Sequence, residues 1–421
     1  MSGPALKDSP RRWWLMLLLV SGMIFCYAQR GALPVAAHSV MKNFRLSESQ
    51  MGILLSAFFW SYSFMQMPAG WMVDRFGVRR AYAIGYSFWS GASALTGVTS
   101  SLAALMALRI LLGVGQAVAF PASARAVANW FQERERGIVT AAYLAGVRLG
   151  QAIIAVVGAA MLVAYDVKIF FLLTGLLPLI WLLPWIKFLK PWEATTDAGT
   201  TDGQTAQANR FSFLQSLGLL KNRTVMGIFL GFFAYDYAWF VYFNWLPTYL
   251  VRERKFTTRE MGVYSSIPYV AMSVIIILSG SLSDWLIRRG HSEVRVRKGL
   301  IIIGLAIACL IVPAGMVEDK MTSVWLLTTS LCGLGISAPN TWTLTQAMCS
   351  KKIVGTVSGI QNFGGNIGGI LAPVLTGIIA QQTQSFAIAL SITGGVLVGG
   401  MLAYWVLISI KVELSSSSSY A

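Results

Sequence analysis

Long apolar segments recur along almost the whole of this 421-residue chain. A helix that crosses a bilayer needs roughly 20 mainly apolar residues. Twelve segments meet that requirement, and their approximate limits are 13–38, 50–73, 81–99, 102–131, 137–163, 168–189, 224–250, 262–287, 299–317, 322–348, 354–380 and 384–410. Only 12% of the residues are charged, against about a quarter in soluble domains. The chain is therefore predicted to be an all-α membrane protein with twelve transmembrane helices.

The distribution of basic residues predicts the orientation of the chain. With the N-terminus placed in the cytoplasm, 21 of the 33 lysines and arginines fall in cytoplasmic segments, eight in external segments and four inside spans, when Lys168 and Lys187 at the two ends of the sixth span are assigned to the flanking loops. An excess of basic residues in cytoplasmic loops is typical of membrane proteins. Both termini are therefore expected in the cytoplasm, with the chain in the inner membrane. The net charge of +16 is attributed to topology, and no nucleic-acid partner is predicted.

One hydrophilic stretch divides the twelve segments into two sets of six. Residues 190–223 are rich in Thr, Gly, Ala and Gln, a composition typical of a linker. The predicted organisation is a cytoplasmic N-terminus (1–12), an N-terminal six-helix bundle (13–189), a cytoplasmic linker (190–223), a C-terminal six-helix bundle (224–410) and a cytoplasmic tail (411–421).

The two halves of the chain carry related sequences. The stretch GWMVDRFGVRR follows the second span and GSLSDWLIRRG follows the eighth, so Asp74 and Asp284 occupy corresponding places. A second correspondence between the halves relates GVRLG in the fifth span to GGNIG in the eleventh. Two six-span repeats with polar residues at mid-membrane are the layout of an alternating-access transporter.

The stretch GWMVDRFGVRR fills every position of G-x-x-x-D-R-x-G-x-R-[RK], a signature of the major facilitator superfamily. Within that superfamily the chain is most similar to the anion:cation symporters, which include bacterial sugar-acid transporters. The stretches CYAQR, LRILLGVGQAVAFP and GIQNFGGNIGGILAPVLTG carry this similarity. The resemblance implies two pseudo-symmetric six-helix bundles, a monomeric protein, and a conformational role for Asp74, Arg75, Arg79 and Asp284.

Four arginines lie within predicted spans: Arg30, Arg109, Arg125 and Arg148. A charged side chain at a helix centre costs about 2.5–3.5 kcal/mol on insertion scales, so such residues face an aqueous cavity or a partner. One clearly intramembrane acid, Asp236, opposes them. The excess of positive charge predicts an anionic substrate, because the planar guanidinium can bind both oxygens of a carboxylate or phosphate.

Spacing and the family resemblance together select candidate binding residues. Arg109 and Gln116 share one helical face, as do Tyr27 and Arg30. In the family resembled, the arginines that match Arg30 and Arg109 bind the substrate carboxylate. A structural bridge to a lipid headgroup or to a backbone carbonyl is the alternative role for each arginine.

Further candidates line the predicted site. The resemblance implies lining residues at Tyr27, Tyr62, Trp342 and Asn362. Two polar residues in the fifth and eleventh spans, Arg148 and Asn366, are added as candidates. Asn366 could instead form a hydrogen bond between glycine-rich helices.

Two glutamines stand where the resembled symporters carry carboxylates. In those symporters an aspartate typically precedes the span-one arginine, a glutamate stands at the place of Gln116, and both are thought to shuttle protons. This chain has Gln29 and Gln116, both taken as candidate binding residues. An amide cannot release a proton, so the resemblance does not carry proton symport to this chain. Three explanations stay open: coupling through Asp236, whose alternative is a plain ion pair; an exchanger or facilitator; or an engineered replacement.

The predicted function is secondary transport of a small organic anion, a sugar acid or another carboxylate, by alternating access. Protons or a counter-anion, together with membrane lipid, are the other expected partners. An organophosphate exchanger and a non-transporting sensor of an organic anion are the alternatives. No cofactor or metal is predicted, because the two histidines are far apart in the sequence, and no grouping typical of an enzyme is found.

Overall fold

The computed structural model describes residues 11–99, 101–196, 218–349 and 353–408, and nearly all of them are helical. The first seven helices are α1 (Arg12–Phe44), α2 (Glu48–Leu95), α3 (Leu102–Gln116), α4 (Ala119–Trp130), α5 (Glu133–Ala164), α6 (Val167–Leu176) and α7 (Leu182–Thr196). The next seven are α8 (Arg223–Arg252), α9 (Thr258–Arg288), α10 (Glu293–Ala308), α11 (Ile311–Met316), α12 (Lys320–Met348), α13 (Val354–Thr383) and α14 (Ala387–Leu402). Short segments of other helix types are Leu177–Trp181, Leu219–Lys221 and Ala403–Leu407.

The helices account for all twelve predicted membrane passes. Among the described residues, ten helical stretches are long and apolar enough to cross a membrane, and the two arms of α2 supply the second and third passes. The arms meet at Gly77, whose φ of 79° lies in the region that glycine adopts readily. Both arms pack against α3, since a Cβ at Gly113 would strike Phe58 and one at Gly115 would strike Trp89. The prediction of an all-α fold with twelve transmembrane helices is confirmed.

Three breaks inside the membrane passes coincide with prolines. A proline within a helix lacks the N–H that would bond to the carbonyl four residues earlier, and its ring clashes with that carbonyl. Pro121 lies four residues after Ala117, where α3 gives way to α4, and Pro313 lies four residues after Cys309, where α10 gives way to α11. Pro178 lies in the first turn of the 3₁₀ segment that separates α6 from α7.

The described helices form two compact units. The first unit contains the described residues up to 196 together with Phe243–Val270. Within it α1 and α5 approach closely, because the absence of a Cβ at Gly146 and Gly150 leaves room for the backbone carbonyls of Val20 and Ile24. This packing fixes the middle of α1, which carries Tyr27, Gln29 and Arg30.

The second unit contains the described residues from 218 to Tyr242 and those from Ala271 onward. Its helices α10 and α12 pack through Gly304 and Gly333, each of which lies against the other's backbone. Small residues allow this close approach of helices in membranes. Most of the predicted N-terminal segment, most of the linker and the whole tail lie outside the described residues, so the limits of the two predicted bundles stay a prediction.

Candidate functional site

Arg30 lies in the middle of α1 with only 3% of its surface exposed. Its Nε donates a hydrogen bond to Oε1 of Gln116 on α3 at 2.9 Å, and its Nη1 donates to the hydroxyl of Tyr27 at 3.2 Å. Gln116 in turn donates from Nε2 to the carbonyl of Cys26 at 2.9 Å. These bonds orient the guanidinium. Both acceptors, the amide of Gln116 and the hydroxyl of Tyr27, are neutral and do not balance its charge.

Three aromatic rings surround the Arg30 guanidinium. Its central carbon lies 4.4 Å from the ring centroid of Tyr27, 4.4 Å from that of Phe58 and 4.7 Å from that of Tyr62. Phe58 and Tyr62 are stacked on each other one helical turn apart in α2. Ring faces carry negative charge density and attract a cation by about 0.5–2 kcal/mol. The rings thus help a cation to stay buried without bringing in a counter-charge.

Arg109 on α3 is the second buried arginine, with 4% of its surface exposed. Its guanidinium carbon lies 5.7 Å from the same Phe58 ring that Arg30 contacts. Among the described residues, neither Nη2 of Arg30 nor Nε of Arg109 has a hydrogen-bond partner, although both atoms are buried. A buried donor without a partner costs about 1–3 kcal/mol, and more when it is charged. Each arginine therefore keeps one donor available to an acceptor from outside the protein.

The charge balance around these two arginines favours a negatively charged acceptor. The helices that carry Tyr27, Arg30, Arg109 and Gln116, together with α4, contain no Asp or Glu. A unit anion about 4 Å from a unit cation is attracted by about 4 kcal/mol at an effective dielectric constant of 20. Guanidinium groups bind carboxylate and phosphate oxygens through charge-assisted hydrogen bonds. The arrangement can therefore hold an organic anion.

Gln29, although next to Arg30 in sequence, is directed elsewhere. Its Nε2 donates to Oγ of Ser90 at 3.0 Å and to the backbone carbonyls of Thr174 and Gly175 at 3.1 and 3.3 Å. Its Oε1 accepts from Nε1 of Trp89 at 2.6 Å. The amide thus joins α1 to the second arm of α2 and to α6. The structure does not bring Gln29 to the Arg30 guanidinium, in contrast to Gln116.

The candidates of the second unit are found on α8, α12 and α13. Trp342 is 38% exposed, and its ring packs edge-on against Phe232 at 5.1 Å between centroids. Asn366 is buried and Asn362 is half-buried on α13. Asp236 is half-buried on α8, with Oδ2 where a side chain at Gly365 would stand. The binding or coupling roles of these residues stay predictions.

The residues predicted to act in conformational change lie beside the break at Gly77 in α2 or near the end of α9. Arg75 is exposed and stacks over Trp71 at 5.5 Å, whereas the backbone carbonyl of Arg79 accepts from Nε1 of Trp185 at 3.2 Å. Asp284 lies 3.8 Å from Nη2 of Arg297, with more than half of its side chain exposed. The side chain of Asp74 is outside the described part of the structure.

Three residues that bear on the site were missed by the sequence analysis. Phe58 contacts both buried arginines, and Trp89 and Ser90 hold Gln29. Phe58 precedes Tyr62 by four residues, which places the two rings on one helical face. That spacing was available in the sequence. No comparable signal points to Trp89 and Ser90, because their pairing with α1 depends on how the second arm of α2 packs.

Comparisons with known proteins agree with these observations. The family model of the Major Facilitator Superfamily matches residues 18–373. The chain is 31% identical to the D-galactonate transporter of Escherichia coli O6:H1, over 96% of this chain and 97% of that protein. It is 30% identical to the hexuronate transporter of Bacillus subtilis, over 92% of each chain. It is 29% identical to a probable galactarate/D-glucarate transporter of Escherichia coli K12, over 94% of this chain and 95% of that protein.

Solved transporters share the fold at lower sequence identity. A bacterial homologue of the human lysosomal transporter Spinster, in an inward-facing and occupied conformation, aligns with a TM-score of 0.74 at 16% identity, over 95% of this chain and 97% of its own. A D-xylose-proton symporter aligns with a TM-score of 0.73 at 16% identity, over 95% and 98% of the two chains. The extent of the family match and the curated relatives, together with this common architecture, establish that the chain is a multi-pass membrane transporter, not an enzyme, and that it belongs to the Major Facilitator Superfamily.

Proposed function

We propose that this protein transports a small organic anion, a sugar acid or a related carboxylate, across the inner membrane by alternating access. The observation that carries the proposal is the pair of buried arginines around Phe58. Arg30 and Arg109 each keep a buried N–H without a partner among the described residues. A carboxylate that bridges the two N–H groups would satisfy both donors and neutralise part of the charge.

The named substrates of the relatives narrow the chemical class proposed for the substrate of this protein. Those reported above are named as transporters of galactonate, of hexuronate and of galactarate or glucarate. All of these are hydroxylated carboxylates, and a carboxylate is the group that the paired arginines can bind. A sugar acid therefore satisfies both the site chemistry and the names of the relatives.

Gln29 and Gln116 bear on how transport is driven. The Gln116 amide accepts from Arg30 and donates to the Cys26 carbonyl, and the Gln29 amide donates to two backbone carbonyls. Neither amide can take up or release a proton at physiological pH. We propose that neither residue carries protons, and that the protein works as an exchanger or a facilitator unless Asp236 has taken over coupling.

The first experiment is uptake into proteoliposomes that contain the full-length protein. Labelled galactonate, galactarate, glucuronate and a hexose phosphate are offered with an imposed inward proton gradient and, separately, with excess unlabelled anion trapped inside. We expect carboxylate uptake that trapped anion accelerates and that the proton gradient leaves unchanged. The variant Arg109→Gln should abolish this uptake. Arg125→Gln, which removes an exposed arginine from α4, is the charge-matched control.

The outcomes separate the parts of the proposal. Uptake that is insensitive to Arg109→Gln would contradict the site. Accumulation driven by the proton gradient would contradict the uncoupled mechanism, and loss of that drive in Asp236→Asn would assign coupling to Asp236. Binding of the anions without any movement would exclude transport.

The remaining predicted features enter the same proposal. We propose that both termini are cytoplasmic, that the protein acts as a monomer, and that the loops around Asp74 and Asp284 stabilise one conformation in the transport cycle. The contact of Asp284 with Arg297 at 3.8 Å supports this role for the second loop. Loss of that contact in Arg297→Gln should change the transport rate more than the anion affinity.

A further inference from the structure

A buried glutamine, Gln151, lies in the middle of α5. It has 3% of its surface exposed, and its Nε2 has no hydrogen-bond partner among the described residues. Buried amides in native proteins nearly always have partners. Arg148, the candidate predicted from the sequence, is half-buried three residues earlier on the same helix, and its binding role stays a prediction. Gln151 thus keeps a buried donor open, as Arg30 and Arg109 do.

A contact with α1 places Gln151 beside the anion site. A Cβ added at Gly31, the residue after Arg30, would lie 2.7 Å from Oε1 of Gln151. Gly31 follows Tyr27 by four residues, so the two share one helical face. The Tyr27 hydroxyl accepts from Nη1 of Arg30 at 3.2 Å. The Gln151 amide therefore packs on the face of α1 that carries a direct partner of Arg30.

The chemistry of the amide favours a hydroxyl group as its partner. A side-chain amide is neutral and both donates and accepts hydrogen bonds, and a hydroxyl does the same. A carboxylate only accepts, and it gains most from a guanidinium, which Arg30 and Arg109 supply. A sugar acid carries both kinds of group, with hydroxyls that begin at the carbon next to the carboxylate. A neutral hydrogen-bonding residue beside the two arginines therefore matches the neutral part of such a molecule.

We propose that the side-chain amide of Gln151 binds one hydroxyl group of the substrate, so that this transporter selects a hydroxylated acid over the analogue that lacks that hydroxyl. A site that hydrogen-bonds a hydroxyl discriminates against such an analogue because its own buried polar group is left unpaired. The inference rests on the proposed function, because it requires the carboxylate to be bound at Arg30 and Arg109. It adds a specificity-determining residue and the part of the substrate that this residue contacts.

The test removes the hydroxyl from the ligand and the amide from the protein separately. Binding of galactonate and of each of its monodeoxy analogues to the purified full-length protein is measured by titration calorimetry for the wild type, Gln151→Leu, Gly31→Ala and Arg109→Gln. Gln151→Leu should weaken galactonate binding by about three- to tenfold, the loss expected for one hydrogen bond between neutral groups. One monodeoxy analogue should bind the wild type and Gln151→Leu with equal affinity, and it identifies the hydroxyl that Gln151 contacts.

The variant Gly31→Ala tests the same contact from α1. Its methyl group would meet Oε1 of Gln151 at 2.7 Å and displace the amide, so it should also weaken galactonate binding and leave that one analogue unchanged. It serves as the test if Gln151→Leu does not fold. Unchanged galactonate binding in Gln151→Leu, or equal weakening of galactonate and of every analogue, would overturn the inference. Failure of Arg109→Gln to weaken any of these ligands would instead contradict the proposed function.

Discussion

Two consecutive residues of α1 lie in opposite chemical surroundings. The Arg30 cluster consists of Arg30, Tyr27, Phe58, Tyr62 and Gln116. The Gln29 cluster consists of Gln29, Trp89, Ser90 and the backbone carbonyls of Thr174 and Gly175. Every polar atom of the Gln29 side chain is hydrogen-bonded to protein, whereas the Arg30 cluster and Arg109 keep buried donors open.

This difference in hydrogen bonding distinguishes two roles of buried polar side chains, helix packing and ligand binding. An amide between helices whose donors and acceptor all have protein partners stabilises the packing and needs no ligand to complete its hydrogen bonds. Burial of a cation that has a donor without a partner is costly, which supports the proposal that an anion binds at Arg30. We therefore propose different roles for these two adjacent residues: Gln29 holds α1 against α2 and α6, and Arg30 binds the anion.

The largest effect is expected from a substitution that disrupts the Arg30 cluster. Arg30→Gln removes the charge and the open Nη2 donor, and loss of one partner of a buried charge-assisted contact costs about 2–5 kcal/mol. Anion binding should weaken by at least about 30-fold, which corresponds to about 2 kcal/mol. Titration calorimetry with the best transported anion measures the change. A dissociation constant within threefold of the wild-type value would contradict the assignment of Arg30 as a ligand.

The converse variant breaks the Gln29 cluster. Gln29→Leu keeps the size of the side chain, but it leaves the Trp89 N–H and two backbone carbonyls without their partner. The free energy of unfolding should fall by about 1–3 kcal/mol, as for other buried polar groups that lose a partner. Unfolding in detergent by denaturant measures this loss, and anion affinity is measured on the same preparation. Weakening of anion binding as strong as in Arg30→Gln would show that Gln29 also contacts the substrate.

The two clusters also differ in how much of each could be predicted from the sequence. Twelve apolar segments were sufficient to predict the fold, because hydrophobic length is a local property. Arg30 and Arg109 were visible for the same reason, since a charge inside an apolar segment stands out. Their aromatic neighbour Phe58 was not identified, although it precedes Tyr62 by four residues and so shares a helical face with that candidate.

The orientation of Gln29 lay beyond the sequence. Adjacent side chains of a helix point in directions about 100° apart, so Gln29 and Arg30 necessarily face different neighbours. Which of the two faces the site depends on the packing of α1 against α2, α3 and α6. The breaks between α3 and α4 and between α10 and α11 were likewise absent from the predicted spans, although Pro121 and Pro313 lie in the expected positions.

A third variant sharpens the comparison by adding an acid to the Arg30 cluster. In Gln116→Glu, an ionised carboxylate would pair with Nε of Arg30 and would no longer donate to the Cys26 carbonyl. Partial neutralisation of Arg30 should weaken anion binding by about tenfold at a pH where the carboxyl is ionised, a loss comparable to one hydrogen bond to a charged group. Protonation at lower pH restores the donor and removes the negative charge, so binding should recover as the pH falls. A pH-independent affinity would contradict this account, and the wild type is the control.

The smallest expected effect concerns the ring shared by the two arginines. Phe58→Leu keeps an apolar side chain but removes the π face that lies 4.4 Å from the Arg30 guanidinium and 5.7 Å from that of Arg109. A cation–π contact contributes about 0.5–1 kcal/mol at exposed sites and about 2 when desolvated. We therefore expect a two- to fivefold weakening of anion binding, measured by calorimetry, because the arginines lose part of their fixed orientation. Phe58→Tyr retains the ring and should bind like the wild type, so a similar loss in both variants would attribute the effect to altered packing of α2 against α3 and not to the aromatic face.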